Sequence, residues 1–205
     1  MSKERVTDKQ QKILESAIDI FAEKGYAAAS TSEIAKRAGV AEGTIFRHYR
    51  TKHELLTAII GPLLMKMVSP FVIKDFKKEV FDKDYGSYEE FLRRLMENRM
   101  KFARSHAALL KILAQEIAFQ PEIQSEFKKL FKEHIYPLFL KVVEHFKEKG
   151  ELKDLPSETI IRLTITTIVS TVLARFLILT EGTAEEEQRF LEDTVRFIMG
   201  GVGRV

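Results

Sequence analysis

Residues 31–50 read TSEIAKRAGVAEGTIFRHYR, and their spacing decides the fold. Thr31 or Ser32 can cap a short helix, because a hydroxyl ahead of the first turn accepts from its free N–H groups. Ile34, Ala35 and Ala38 make one apolar face at helical spacing. Gly39 follows, where a tight turn needs a residue that tolerates positive φ. Val40 fills the inside of that turn. A second short helix begins near Ala41 or Glu42 and buries Ile45 and Tyr49. Two short helices joined by a glycine-containing turn make a helix-turn-helix, and the small Ala35 lets them approach closely. Glu42, Gly43, Thr44, Arg47 and His48 are left facing outward.

That outward face suits a nucleic-acid groove. Gly43 and Thr44 let backbone come close, and Arg47 and His48 carry donors. Between residues 34 and 53, Lys36, Arg37, Arg47, Arg50 and Lys52 stand against Glu42 alone, a local charge of +4. The whole chain carries only +3, so its remainder is near neutral. A local basic patch on a helix-turn-helix is the electrostatic footprint of DNA binding. Lys52 opens the next helix, whose free N–H groups and dipole favour a phosphate.

Outward from this segment, helix signals dominate. Thr7–Gln10, Thr51–Glu54, Ser87–Glu90 and Thr183–Glu186 have the spacing of capping boxes, each followed by apolar residues at helical period. Pro121 suits a first helical position. Pro137, inside the helix expected to run from Pro121 towards Gly150, predicts a kink or break. Pro156 opens a helix containing a Thr-rich apolar run, Leu163 to Leu179. That run has Arg175 inside it, and a spanning helix needs about 20 mostly apolar residues. A buried helix of a soluble protein is the better reading, with no membrane partner. We expect an all-helical chain of about nine helices.

The 205 residues are 45% hydrophobic and 31% charged, a globular composition. With no Cys, disulfide scaffolds, thiolate metal sites and Cys nucleophiles are excluded. The start, MSKERVTDKQQKILE, has no apolar run, so no signal peptide is expected and a cytoplasmic location follows. His106, His134 and His145 are too scattered for a metal site, and no cofactor is expected. Neither a phosphate loop nor a nucleophile elbow appears, which disfavours an enzyme. The C-terminal two thirds are rich in Phe and Met, and bundles of such helices hold apolar ligands between them. Phe102, Leu110, Leu113, Phe119, Phe139 and Phe176 are the candidate lining residues. His106, His134, Gln115 and Glu116 are candidates for polar specificity.

The stretch ILESAIDIFAEKGYAAASTSEIAKRAGVAEGTIFRHYRTKHELL resembles the N-terminal domain of TetR-family transcriptional regulators. The FAEKGY junction, the helix-turn-helix, and the Lys52, Leu55 and Leu56 start of the fourth helix recur together in order. The resemblance implies an N-terminal three-helix DNA-binding domain at 1–50, a connecting helix at 51–68, and a ligand-binding and dimerisation domain at 69–205. It implies that Thr31, His48 and Lys52 meet phosphates. Glu42, Gly43 and Thr44 would lie at the leading end of the recognition helix, and Arg47 would read a guanine edge or hold a phosphate. The last two helices would pair with their copies in a homodimer. Two residues depart from the family pattern. Phe46 stands where Tyr is common, removing a phenolic contact, and Ala41 stands where a Ser or Thr cap is usual. Together these features point to a repressor that binds a pseudo-palindromic double-stranded DNA operator and is released by a small lipophilic effector. The alternative is a helical small-molecule carrier or sensor that does not act at DNA.

Overall fold

In a computed structural model, the structure describes residues 7–68, 75–178 and 182–204, with backbone alone at 62–68 and 177. The described residues form ten α-helices and two short π-helical turns, with no strand among them. The helices are α1 (Asp8–Lys24), α2 (Thr31–Ala38), α3 (Glu42–His48), α4 (Lys52–Val68), α5 (Tyr88–Ser105), α6 (Ala107–Glu116), α7 (Pro121–Leu130), α8 (Tyr136–Glu148), α9 (Ser157–Leu177) and α10 (Ala184–Val202). The π turns are Lys77–Phe81 and Phe131–Ile135.

Capping explains many of these boundaries. Thr7 and Gln10, and Thr183 and Glu186, form complete capping boxes at α1 and α10. Thr51 Oγ1 accepts from Glu54 N at 3.0 Å, while Glu54 reaches back one residue further, to Arg50 N at 2.7 Å. Ser87 and Glu90 behave alike, with Glu90 accepting from Gly86 N at 2.9 Å. At α2 the cap is Ser30, one residue before the expected Thr31 or Ser32. Ser30 lies three residues before Glu33, and the two form a complete box that neither Thr31 nor Ser32 could make.

Pro121 opens α7 as expected. The break expected at Pro137 takes a specific form. The chain widens into the π turn Phe131–Ile135, and Pro137 falls in the first turn of α8. There its missing N–H costs nothing, and the widened turn precedes the ring that would crowd residue 133.

The chain divides into two compact units. The first runs to Met67 and takes in Ala107–Glu126. Here α1 packs on α2 and α6, and α2 packs on α3. Ile13, Ala17, Phe21, Ile34, Ile45, Leu55 and Leu56 form its core. The second comprises Val68–His106 and Phe127–Val205. Its core is aromatic: Phe81 meets Phe91 and Phe139 edge to face at 5.5 and 5.2 Å, and Tyr88 meets Phe146 at 5.7 Å. Tyr88 is fully buried, and its hydroxyl lies 3.3 Å from that of Thr164, itself fully buried.

Helix α9 is less buried than expected. Ile160, Ile161, Thr164, Ile168 and Val172 form its buried face, whereas Leu163 and Val169 are 43% and 49% exposed. Over Ser157–Phe176 it is long and apolar enough to cross a membrane by length and composition, and only 28% of its most apolar window is buried within the described chain. One face packs on α8, α5 and α10; the other has no cover within the described chain. Phe197 on α10 is 73% exposed. Leu179, at the end of the expected run, lies outside the described residues, as do 69–74 at the expected domain boundary.

Candidate nucleic-acid interface

The helix-turn-helix forms as its residues require. Gly39 ends α2 at φ +67°, the left-handed region the turn needs, and its N–H caps the carbonyls of Ala35 and Lys36. Ile45 is fully buried and anchors α3. Tyr49, expected in the core, is half-buried at the end of α3. Its burial lifts its hydroxyl pKa above the ordinary value. Ala41 caps α3 with no side-chain hydrogen bond, as the departure from a hydroxyl cap implied.

Glu42 takes up part of that deficit. It sits in the first turn of α3, where a negative charge is favoured by the helix dipole. Thr31 Oγ1 donates to its carboxylate at 2.6 Å, linking the first residue of α2 to the first residue of α3. Gly43 is exposed, and a Cβ built on it would meet nothing within 4 Å. Arg47 and Phe46 are exposed, and His48 and Thr44 are half-buried.

The basic patch divides into spent and free charges. Arg37 donates to both carboxylate oxygens of Glu23, at 2.6 and 2.9 Å, and this pairing holds the Glu23 carboxyl below its ordinary range. Lys24 pairs with Glu33 at 2.6 Å and lowers the Glu33 carboxyl likewise. Lys52 is engaged with backbone. Its ammonium donates to the carbonyls of Tyr26, Ala27 and Ala29 at 2.8, 3.3 and 2.9 Å, and lies 4.5 Å from the Tyr26 ring centre. Among the described residues, the side chains of Lys36, Arg47 and Arg50 have no ion-pair or hydrogen-bond partner.

Of the residues expected at the interface, Thr31, Glu42, Gly43, Thr44, Arg47 and His48 are therefore gathered on α3 and the start of α2. Lys52 lies beside the α1–α2 turn, with its donors turned inward. No charge pattern in the sequence marks that arrangement, because its partners are carbonyls. Behind Lys52, His53 Nε2 lies 3.1 Å from Gln120 Oε1, and Gln120 Nε2 donates to the buried Glu116 at 3.1 Å.

The expected pocket residues split between the units. Leu110, Leu113 and Phe119 belong to the first, and Phe119 is 79% exposed in the turn after α6. Phe102, Phe139 and Phe176 belong to the second. There Phe139 is spent on the aromatic core with Phe81 and Phe91, while Phe102 stacks on His106 with ring centres 4.4 Å apart. Arg99, which the sequence reading passed over, lies beside Phe102.

Residues 13–59 match the bacterial regulatory proteins of the tetR family. The uncharacterized HTH-type transcriptional regulator YvdT of Bacillus subtilis is 42% identical over 60 residues, 29% of this chain. The match spans 31% of that protein, so the chain covers about a third of the relative's length. Likeness to solved structures extends further. The ketosteroid transcriptional regulator KstR2 of Mycobacterium tuberculosis superposes with a TM-score of 0.69 at 22% identity, over 98% of both chains. The regulator FadR of Bacillus subtilis, in complex with stearoyl-CoA, superposes with a TM-score of 0.67 at 21% identity, over 93% of this chain and 98% of that one. At such identity the likeness shows the fold. Fold and motif together define an all-helical protein with an N-terminal helix-turn-helix. Residues 13–59 carry the N-terminal domain of the tetR family of bacterial regulatory proteins, and the chain as a whole shares the fold of TetR-family structures.

Proposed function

We propose that the protein is a cytoplasmic, homodimeric repressor that binds a pseudo-palindromic DNA operator and is released by a small, mostly apolar effector. The observation that carries the DNA reading is Gly43. Glycine inside a helix costs roughly 0.5–1 kcal/mol relative to Ala, and nothing in this fold needs it, because an added Cβ meets open space. Its use is close approach by something outside the chain. The unpaired Arg47, Lys36 and Arg50 on the same motif give that partner its charge.

In this reading Arg47 reads a guanine edge or holds a phosphate, and Thr44, Glu42 and His48 flank it at the groove. Thr31 would exchange the Glu42 carboxylate for a phosphate on binding. Lys52 first holds the α1–α2 turn against the start of α4, and it would reach a phosphate only by releasing a carbonyl. The exposed apolar residues Leu163, Val169 and Phe197 support pairing of α9 and α10 with their copies. A dimer supplies the two half-sites that one short recognition helix needs.

The effector reading draws on the relatives. FadR is described with stearoyl-CoA and KstR2 as a ketosteroid regulator. An effector lowers DNA affinity only by binding the non-DNA conformer more tightly. The Glu116–Gln120–His53 hydrogen-bond chain gives α6 and α4 a polar link through which such a shift could pass. Selection of bound duplexes from a random pool tests the function. Recovery of a two-fold symmetric consensus is expected; recovery of no enriched sequence by the folded protein would contradict it.

A further inference from the structure

Arg99 lies in the middle of α5, with its guanidinium carbon 4.0 Å from the ring centre of Phe76 and 5.1 Å from that of Phe102. A guanidinium presents a planar fork of N–H donors. Here both Nε and Nη2 converge on one neutral oxygen, Oδ1 of Asn98. The nearest acid is occupied elsewhere: Glu79 accepts from the Asn98 amide at 2.7 Å and meets Arg99 only through it. Among the described residues no carboxylate lies within ion-pair distance of Arg99. Burial pushes its pKa down to about 10, with Glu79 opposing, so it remains a cation at neutral pH.

A half-buried cation without an anion is costly, and two aromatic faces offset only part of that. An apolar side chain of similar length would pack between Phe76 and Phe102 without the penalty. The remaining nitrogen, Nη1, has no partner in the protein, and it is not sealed off, since no buried polar side-chain atom among the described residues lacks a partner. The fork therefore has one open edge, flanked by the faces of Phe76 and Phe102, with His106 stacked beyond Phe102.

We propose that Arg99 is the head-group site for the effector, and that the effector is an amphipathic anion whose acidic head meets Nη1 while its tail lies against the aromatic faces. This rests on reading the C-terminal residues as effector-binding, and it narrows that reading from any lipophile to one bearing a carboxylate or phosphate. Carboxylate and phosphate both fit a guanidinium edge.

The test is calorimetric titration of the full chain with dodecanoate, with dodecanol and with lauroyl-CoA, each below its micelle concentration. Wild type should bind at least one of the two anions about tenfold or more tighter than dodecanol, the scale of one charge-assisted contact. Arg99→Gln should remove that preference while binding dodecanol within about twofold of wild type, and Arg99→Lys should restore part of it. Preference for dodecanoate marks a carboxylate head, and preference for lauroyl-CoA alone marks its phosphates. Equal binding of acid and alcohol by wild type would overturn the proposal without recourse to any variant, as would failure to bind any of the three. A duplex mobility shift run alongside separates the two readings. Loss of DNA binding with Arg99-dependent anion binding intact removes the regulator function alone, and the converse removes the head-group site alone.

Discussion

The Thr31 hydroxyl donates to the Glu42 carboxylate at 2.6 Å, so the first residues of α2 and α3 share one proton contact across the helix-turn-helix. In the proposed DNA-bound state a phosphate would replace that carboxylate at Thr31. Glu42→Gln removes that charge while keeping an acceptor for the hydroxyl. We expect it to strengthen binding to duplexes of any sequence by a few fold at low salt, with the gain shrinking as salt screens the patch. Fluorescence anisotropy on unrelated duplexes measures this; an unchanged non-specific affinity would place Glu42 away from the DNA backbone.

Gly43 supplies a test in which stability and binding move in opposite directions. Gly43→Ala should raise the free energy of unfolding by about 0.5–1 kcal/mol, because a helical glycine gains propensity and its Cβ meets open space. The same methyl should weaken operator binding roughly tenfold. Chemical denaturation and anisotropy read the two effects separately. Gain of stability with no loss of binding would mean that nothing approaches α3 at that point.

Lys52 is expected to be structural first. Lys52→Met removes three hydrogen bonds to the carbonyls of residues 26, 27 and 29. Urea denaturation should show a loss of about 1–3 kcal/mol, the cost of leaving partly buried acceptors unmet. The salt dependence of DNA binding then decides the second role. A slope smaller by about one indicates a phosphate contact, and an unchanged slope indicates none.

Tyr88 predicts an alkaline weakness in the second unit. Burial raises its pKa from 10.0 to about 12, opposed by the Thr164 hydroxyl. The neutral phenol is the form the fold favours, so its stabilisation is complete below pH 10. It is lost between pH 10 and about 12, where the unfolded chain ionises and the folded chain does not. Thermal melts across that interval should fall more steeply for wild type than for Tyr88→Phe. Parallel slopes would contradict the assignment.

Phe197 tests the dimer. It is 73% exposed and lies on α10, which packs against α9. Phe197→Asp should convert a two-chain species to a one-chain species in sedimentation velocity, with helical content retained. A variant that sediments like wild type would show that this face is not the interface.

Much of this architecture was legible in local chemistry. Gly39, Pro121 and the Thr7 and Thr183 boxes each fix a backbone conformation through their own side chains or lack of one, so their reading needs no tertiary context. The Ser30 cap was also legible, since only Ser30 has a Glu three residues on; the run of hydroxyls at 30–32 obscured it. The burial of α9 was not legible. Its residues are apolar on most sides, and that pattern does not distinguish cover by the same chain from cover by another. Lys52 and Arg99 failed for a related reason. Their partners are backbone carbonyls, an amide and ring faces brought near by folding, and none of these leaves a charge pattern in the sequence.

In the proposed function, α3 reads DNA through Arg47. The direct measurement is a mobility shift with the duplex upstream of the chain's own gene, in excess competitor, for wild type and Arg47→Ala. Wild type should give a discrete shift that survives competitor, and Arg47→Ala should lose about 1–3 kcal/mol in affinity. Equal affinity for both proteins on a duplex bound specifically would contradict the role of Arg47, and no binding at low salt by the folded protein would contradict the proposed function as a whole.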